Sequence, residues 1–418
     1  MSTFAEAGVS PRTVAALSAQ GIIEPVKVQA EAIPALLDGR DVVIEAPTGS
    51  GKTLAFLVPM IERLPRGGAG PRAMIVTPTR ELALQVEKVL RSLSTGLRST
   101  VLYGGVGYAT QRVELRRGVD VVVGTPGRIL DMVGQGLLSL SRIEYLVLDE
   151  ADEMLDAGFA PSVEKILGLT YEPQTALASA TMPTWVQRMV EKHTHDPVEI
   201  RVESDQEDLL EHGMLRVESE VKLQTLSRLL RRHGGTAIVF GRTKHGVKKL
   251  NKNLRQMGHN SIELQGDLSQ SVRDHAMASF REGRTQILVA TNVAARGIDV
   301  DSVGLVVNFE LPDSAQWLTH RIGRTARMGE TGRALTFVTP EDEPAWVKLS
   351  RQGAPEIREI DTRQLLEEGA WEYRESRPMQ SRGSGSGARS GGRPQTRGSN
   401  RRRQGSSSWR PGAPRRSS

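Results

Sequence analysis

The chain of 418 residues contains no cysteine, which excludes a disulfide framework and a thiol nucleophile. Only eight histidines occur, and none of them has the spacing of a metal site. No apolar stretch reaches the length of about 18 residues that a membrane-spanning helix needs, so no membrane span is predicted. The N-terminus lacks a basic segment followed by an apolar core, which indicates no secretory signal and makes a cytoplasmic location the default expectation.

Acidic residues and lysines are missing from residues 376–418, which hold eleven arginines. Of the 55 basic residues, 44 therefore lie in the rest of the chain, where 49 acidic residues leave a formal charge of −5. The segment is otherwise rich in Gly, Ser and Pro, so it cannot bury enough apolar area to fold, and we expect disorder. Such a tail attracts phosphate backbones by charge, and a solvated segment without function is the alternative.

Strand-like apolar runs alternate with helix-length segments through the remaining chain. This rhythm predicts an α/β fold with parallel sheets covered on both faces, and the chain length favours two domains. This alternation of strands and helices is interrupted between residues 200 and 215, where the polar segment 201–208 predicts a linker. The predicted strands are residues 42–44, 73–76, 100–103, 119–123, 146–148, 176–178, 236–240, 261–264, 286–289, 303–309 and 333–338.

Residues 46–53 form a Gly-rich segment between an apolar strand and an apolar helix, which is the context that a phosphate-binding P-loop requires. Lys52 would reach the β and γ phosphates of a nucleotide, and the Thr53 hydroxyl would ligate Mg²⁺. Backbone amides of the loop would also face the phosphates. The other positions predicted to bind the nucleotide here are Thr48, Gly49, Ser50 and Gly51. Because Ala46 replaces the usual first glycine, a Gly-rich turn that binds nothing is the alternative.

An acidic segment follows the apolar run 145–148 and begins with Asp149 and Glu150. Carboxylates at the C-terminal end of a buried parallel strand lie where open α/β sheets bind their ligands. Asp149 would hold Mg²⁺, and Glu150 would orient or deprotonate the attacking water. Acidic residues also favour the first turn of a helix, so a charged helix start is the alternative, which the preceding P-loop makes minor.

These segments resemble the motifs of the DEAD-box RNA helicases, since residues 149–152 read Asp-Glu-Ala-Asp. The other segments follow in the order of that family between about residues 4 and 340. They are residues 21–29, 78–83, 104–105, 125–128, 179–181, 239–243, 265–270, 290–299 and 320–327. The resemblance implies two tandem RecA-like parallel-sheet domains, one ATP held between them with Mg²⁺, and RNA as the partner.

The resemblance also implies roles for individual residues. Gln29 would read the adenine and Asp299 the ribose, while Arg324 and Arg327 would contact the γ phosphate, with Arg327 as the arginine finger. A solvated basic helix face is the alternative for these two arginines. The residues expected to hold the RNA backbone are Arg80, Gly105, Thr125 and Arg128 in the first domain and Thr243, Gln270, Arg273 and Thr291 in the second. Ser179, Thr181 and His320 would couple hydrolysis to strand separation.

The chain departs from the family pattern at a few positions. Ile22 stands where the family usually has an aromatic ring that stacks on adenine, so looser adenine discrimination is expected. Asn292 replaces a frequent aspartate, and Ala326 replaces the usual glycine. None of these changes removes a group that the chemistry needs.

The predicted organisation places a first RecA-like domain at residues 1–203, a linker at 204–213, a second at 214–360, an extension at 361–375 and the basic tail at 376–418. We expect an RNA-dependent ATPase that separates short RNA duplexes, as a cytoplasmic monomer. An ATP-gated RNA clamp or annealing factor is the alternative from another class, and a DNA helicase is a third. Backbone contacts would leave RNA binding with little sequence specificity.

Overall fold

The computed structural model describes residues 3–47, 49–64, 67, 70–93, 96–202, 210–292, 303–325, 331–355 and 357–360. Three residues with predicted roles lie outside this part of the chain, namely Thr48, Asp299 and Arg327, and so does the whole basic tail. Within the described residues, none of the helices combines the length and the apolar character that a bilayer crossing requires.

The first domain is built on a seven-stranded sheet whose strands all run parallel. In space the strands follow the order β3-β4-β2-β5-β6-β1-β7. Along the chain they are β1 (Val42–Glu45), β2 (Ala73–Val76), β3 (Ser99–Leu102), β4 (Val121–Gly124), β5 (Tyr145–Asp149), β6 (Gln174–Ser179) and β7 (Val198–Arg201).

The second domain repeats this arrangement with a second seven-stranded parallel sheet, in the order β10-β11-β9-β12-β13-β8-β14. Along the chain its strands are β8 (Leu210–Arg216), β9 (Ala237–Gly241), β10 (Ser261–Leu264), β11 (Ile287–Thr291), β12 (Leu305–Asn308), β13 (Gly332–Val338) and β14 (Arg358–Glu359). Counted from the first strand of each domain, the two spatial orders are identical. The two halves therefore share one topology, which confirms the predicted α/β fold with two parallel sheets.

Helices cover both faces of each sheet. In the first domain they are α1 (Pro11–Ser18), α2 (Lys27–Leu37), α3 (Lys52–Arg63), α4 (Arg80–Ser92), α5 (Ala109–Arg117), α6 (Pro126–Gly134), α7 (Ala151–Asp156), α8 (Ala160–Leu167) and α9 (Thr184–His193). In the second domain they are α10 (Lys222–His233), α11 (Lys244–Gln256), α12 (Gln270–Arg281), α13 (Ala315–Ile322) and α14 (Glu343–Arg351).

Two hydrophobic cores flank each sheet because successive side chains of a strand point to opposite faces. In β1, Val42 and Ile44 pack into one core, while Val43 packs into the other. In β9, Val239 faces one core and Phe240 the opposite one. Burial on both faces explains why these strands are continuous apolar runs in the sequence.

The predicted linker is wrong in part, because residues 210–213 pair with β13 in the second sheet. The sequence prediction also missed β7, β8 and β14, and the predicted pause at 200–215 covers most of β8. These strands lie at or next to a sheet edge, where β7 and β8 are only partly buried and both residues of β14 are exposed. In β8, burial is complete only for Gly213, Met214 and Leu215, which leaves an apolar signal too short to recognise.

Candidate nucleotide and RNA site

The P-loop connects β1 to α3 and turns back through two glycines in the left-handed region, Gly49 with φ of 88° and Gly51 with φ of 93°. A Cβ on Gly51 would lie 2.7 Å from Nε2 of Gln29, so only glycine fits there. Gln29 donates from Nε2 to the Gly51 carbonyl at 3.1 Å and accepts at Oε1 from the Val26 N–H at 3.1 Å. Gln29 thus ties the start of α2 to the loop.

Lys52 is buried, and its ammonium group lies inside the curl of the loop. Nζ donates to the carbonyl oxygens of Ala46 at 2.6 Å and Pro47 at 2.8 Å. Burial lowers the pKa of Lys52, although the nearby carboxylates, led by Asp149, act in the opposite direction. The Ser50 hydroxyl is also buried and has no hydrogen-bond partner among the described residues. The loop therefore presents an ammonium group and a free hydroxyl to an anion.

Asp149 ends β5 as a buried carboxylate, and Glu150 follows with φ of 53°, a left-handed conformation that a non-glycine residue rarely adopts. Burial first, and then the charge of Glu150, raise the pKa of Asp149 to about 7. Oε2 of Glu150 is buried without a hydrogen-bond partner among the described residues. Positive charge nearby does not fully compensate the carboxylates of Asp149 and Glu150, and carboxylate oxygens are suitable ligands for a hard divalent cation. This pair of residues is therefore compatible with Mg²⁺.

Asp152 joins the acidic segment to the predicted coupling residues. Its Oδ2 accepts from the Thr181 N–H at 2.9 Å and from the Thr181 hydroxyl at 2.8 Å. The Ser179 hydroxyl accepts from the Asp152 N–H at 3.3 Å and donates to the Thr181 carbonyl at 2.6 Å. Burial alone would raise the pKa of Asp152, but His320, Thr181 and Ser179 together lower it to about 2. Asp152 is therefore an ionised acceptor that holds this turn in place.

The second domain reaches the same acidic segment through α13 and the residues after it. Gln316 donates from Nε2 to the Thr181 hydroxyl at 2.8 Å. Nε2 of His320 lies 3.6 Å from Oδ2 of Asp152, and Nη2 of Arg324 lies 3.5 Å from Oε1 of Glu153. Both predicted residues, His320 and Arg324, thus lie at the boundary between the domains.

Gln316 was missed by the sequence prediction, although its spacing carries a signal. It precedes His320 by four residues in α13, so both side chains lie on one face of the helix. That face meets Asp152 of the other domain, where Gln316 and His320 both approach Oδ2. Residues at this spacing beside a predicted coupling histidine could have been proposed from the sequence.

The predicted RNA-contact residues of the first domain follow the C-terminal ends of β2, β3 and β4. Arg80 begins α4, which is capped by the Thr79 hydroxyl. The Arg80 guanidinium lies 4.3 Å from the centroid of the Tyr103 ring. Arg128 lies 4.3 Å from the centroid of Tyr108. Gly105, with φ of 79°, lies in the loop between these two rings, and Thr125 precedes α6. The sequence prediction missed both tyrosines. Tyr103 directly precedes the glycine pair at 104–105, and Tyr108 follows the pair by three residues.

The predicted RNA-contact residues of the second domain occupy topologically equivalent positions, after β9, β10 and β11. Thr243 caps α11 by accepting from the Gly246 N–H at 3.0 Å, just as Thr79 caps α4. Gln270 begins α12 and donates to Asp274 at 2.8 Å. Thr291 ends β11 and is buried. Because matching strands carry these residues in both sheets, the structure gathers them at corresponding edges of the two domains.

Comparisons with known proteins agree with this geometry. The model of the DEAD/DEAH box helicase family matches residues 26–189, and that of the helicase conserved C-terminal domain matches residues 221–329. The chain is 42% identical over 345 residues to the ATP-dependent RNA helicase DeaD of Mycobacterium tuberculosis, covering 81% of this chain and 61% of that protein. It is 37% identical over 401 residues to the mitochondrial DEAD-box ATP-dependent RNA helicase 9 of Arabidopsis thaliana, covering 93% of this chain and 65% of that protein.

The chain thus spans less than two thirds of the length of these two relatives. Among solved structures, it is similar to Saccharomyces cerevisiae Dbp5 bound to RNA and ADP BeF3, with a TM-score of 0.79 and 30% identity. That similarity covers 88% of this chain and 98% of the other. The match extends through both domains, so the similarity is not confined to the P-loop half.

Proposed function

Because this chain belongs to the DEAD-box family of RNA helicases, we propose that it is an RNA-dependent ATPase that clamps RNA and separates short duplexes. The observation that carries the proposal is the contact of α13 and Arg324 with the acidic segment of the first domain. Residues of the second domain thereby contact Asp152 and Glu153, which follow the carboxylates expected to act on the nucleotide within four residues of the chain. Hydrolysis would then depend on the two domains being closed on each other.

The nucleotide would lie on the P-loop. Lys52 would exchange its two carbonyl partners for phosphate oxygens, and the loop amides and the Ser50 hydroxyl would donate to the same group. Gln29 would present its amide to the adenine while it holds the loop. Thr53 and Asp149 would hold Mg²⁺, which neutralises phosphate charge during transfer.

Glu150 would act on the attacking water. Its left-handed backbone and the unpartnered Oε2 leave the carboxylate able to accept a hydrogen bond from that water. Arg324, and Arg327 beyond the described residues, would stabilise negative charge on the γ phosphate from the second domain. We also keep Asp299, outside the same residues, as the proposed ribose contact.

RNA would be gripped by the loops at matching strand ends of both domains. ATP and RNA would each contact both domains, so each would favour the closed arrangement and their binding would be positively coupled. The coupling would run through Ser179, Thr181 and His320. Hydrogen bonds connect the first two residues with Asp152, and an ion-pair contact connects His320 with it. Bending the bound strand on closure would release its partner strand locally.

An ATP-gated clamp or annealing factor is the second reading. Such a protein would need tight coupling of ATP and RNA without fast turnover. Glu150 and Arg327, which the transfer step requires, are both present in the sequence, and Arg324 lies beside Glu153; this favours turnover. A cytoplasmic monomer, with domains at 1–203 and from about residue 210 to 360, completes the proposal.

The test combines ATPase rates, with and without RNA, with strand release from matched RNA and DNA duplexes. We expect stimulation of ATP hydrolysis by RNA, and release of RNA strands only when ATP is present. Lys52→Ala should abolish both activities, and Arg324→Ala should lower the stimulated rate on the order of 10³-fold. Arg228→Ala, an exposed arginine of α10, is the matched control and should behave as wild type. Equal activity of the Arg324 and Arg228 variants would contradict the proposal.

A further inference from the structure

A cavity of about 530 Å³ opens on the first domain and is lined by four arginines and by no acidic residue. The arginines are Arg98, Arg116, Arg117 and Arg142. Residues 1–375 carry more acidic than basic residues in total, so four arginines around one cavity are a local concentration of positive charge. The cavity has the size of a nucleotide-binding pocket.

This cavity lies at the N-terminal edge of the first sheet, opposite the nucleotide and RNA loops. Its lining includes residues just before three strands, namely Pro71 before β2, Arg98 before β3 and Val119 before β4. The P-loop and Asp149 lie at the other ends of parallel strands in this sheet. Four-residue strands separate the two edges by about 13 Å, so this cavity is distinct from the site described above.

The positive charge of the cavity is only partly compensated. Arg98 lies 3.4 Å from Asp120 and donates to the Arg117 carbonyl at 3.2 Å, which fixes its guanidinium. In contrast, no carboxylate of the described residues lies within ion-pair distance of the Arg116, Arg117 or Arg142 guanidinium. The three side chains are exposed and line the same concave space. Like charges gathered in this way favour an anionic ligand.

We propose that this cavity binds a compact cluster of phosphates, carried by the 5′ end of an RNA or by a free nucleoside polyphosphate. Guanidinium groups match phosphate because their planar forks donate two parallel hydrogen bonds. Several arginines that converge without a carboxylate can neutralise more than one phosphate charge, which favours a polyphosphate over a single phosphate. The volume leaves room for a nucleoside or a terminal nucleotide beside the phosphates.

Helix α5 connects this cavity with the predicted RNA loop. It begins beside Tyr108 and ends at Arg117, nine residues or about 13 Å later. In its first turn, Gln111 donates to the Tyr103 carbonyl at 3.3 Å and accepts from Arg128 at 2.9 Å. A phosphate cluster in the cavity would therefore lie at the far end of a helix that supports the RNA-contact residues.

The experiment measures tripolyphosphate binding to the full chain carrying Lys52→Ala, so that the P-loop does not contribute. Arg117→Gln with Arg142→Gln should weaken binding about tenfold or more, because two charge-assisted contacts are lost. Arg188→Gln with Arg228→Gln changes the same charge at exposed positions outside the cavity and should leave binding unchanged. Added tripolyphosphate should slow hydrogen exchange in residues 109–119 and 136–142 of the Lys52→Ala protein. This readout is local to the cavity, so binding to the basic tail does not contribute to it.

A second comparison identifies the source of the phosphates, using RNA with a 5′-triphosphate and the same RNA with a 5′-hydroxyl. Tighter binding of the triphosphate RNA, lost in the Arg117/Arg142 variant, would assign the cavity to RNA ends. Equal binding of both RNAs, with tripolyphosphate still bound, would assign it to free polyphosphates. Equal affinities of the cavity and control variants for tripolyphosphate, or no local protection, would overturn the proposal. ATPase rates without RNA should be the same in otherwise wild-type proteins carrying either double variant, which shows intact folding.

Discussion

Arg273 of α12 donates from Nη2 to Oε1 of Glu81 of α4 at 3.0 Å and so joins the two domains. The adjacent residues repeat the contact in the opposite sense, since Arg80 lies 3.3 Å from Asp274. Both arginines are predicted RNA contacts. The carboxylates therefore hold the arginines in position and also link the domains. The pair Arg273–Glu81 is shielded from water on both sides and so contributes to closure, whereas the Asp274 side chain is largely exposed.

Glu81→Gln should weaken the coupling between ATP and RNA without removing an RNA contact. The variant keeps the shape of the side chain but loses the charge that attracts Arg273 across the domain boundary. We expect RNA affinity without nucleotide to be unchanged, and the tightening caused by a non-hydrolysable ATP analogue to fall about two- to fivefold. Glu282→Gln, an exposed carboxylate paired within the second domain, is the control. Identical tightening in all three proteins would show that the ion pair does not affect closure.

Glu150→Gln should bind ATP and RNA but hydrolyse ATP roughly 10² to 10⁴ times more slowly. Glutamine keeps the volume of the side chain, and Asp149 remains to ligate Mg²⁺, but the carboxylate that accepts the proton from water is lost. RNA should consequently dissociate more slowly in the presence of ATP. Single-turnover hydrolysis and RNA dissociation rates test this, and faster RNA release with ATP would contradict the assignment of Glu150.

Ile22→Phe should tighten ATP relative to GTP, because a ring offers a face to the adenine that isoleucine lacks. Ile22 packs against the N-terminal cluster that contains Phe4 and Leu17. Phe4 is 1% exposed, so its ring is not available to a base. The control is Ile23→Phe, since the neighbouring Ile23 is 64% exposed. An ATP-to-GTP affinity ratio that is the same in both variants and wild type would leave Gln29 as the determinant of base choice.

Deletion of residues 376–418 should weaken RNA binding and flatten its salt dependence while the ATPase rate without RNA stays unchanged. The rest of the chain is net acidic, so the eleven arginines of this segment supply the main positive charge. Each lost phosphate contact should lower the log–log salt slope by about 0.7 for single strands. RNA binding at several salt concentrations measures this. The same slope with and without the segment would indicate that it serves solubility or a protein partner.

His212 makes the folded state sensitive to mild acid. Its Nε2 lies 3.1 Å from the Thr336 hydroxyl, and burial lowers its pKa to about 4, below the usual 6.5. Between these values the unfolded chain binds a proton that the folded chain does not, so this residue reduces stability as the pH falls from 6.5 toward 4. The loss is at most about 1.4 kcal/mol per pH unit.

His212→Gln should remove this contribution. The free energy of unfolding of the variant, relative to that of wild type, should therefore rise by about 1 kcal/mol when the pH is lowered from 7.5 to 5.5. Denaturant unfolding at the two pH values measures the difference. His245→Gln, at an exposed position of α11, is the control and should keep the same free-energy gap to wild type at both values. A constant gap for the His212 variant as well would show that the folded protein protonates this side chain without cost.

Local sequence signals were sufficient to predict the position of a strand wherever that strand is buried on both faces of the sheet. Val42–Glu45 and Tyr145–Asp149 are such strands, and each was predicted within about two residues of its observed bounds. They also end at the P-loop and at the acidic segment, so the order of strand, loop and helix was enough to predict the nucleotide site. Strands β7, β8 and β14 were missed because near a sheet edge the buried run is short or, in β14, absent.

The sequence by itself thus determined the two-domain α/β fold, the family and the residues of each motif, because these depend on patterns within short segments. Only the tertiary structure decided which residues meet across the domain boundary. Gln316 with Thr181, and Arg273 with Glu81, are more than 130 residues apart along the chain and depend on how two separate sheets come together. The arginine-lined cavity arises in the same way, since Arg98, Arg117 and Arg142 converge only when parallel strands align their starting ends.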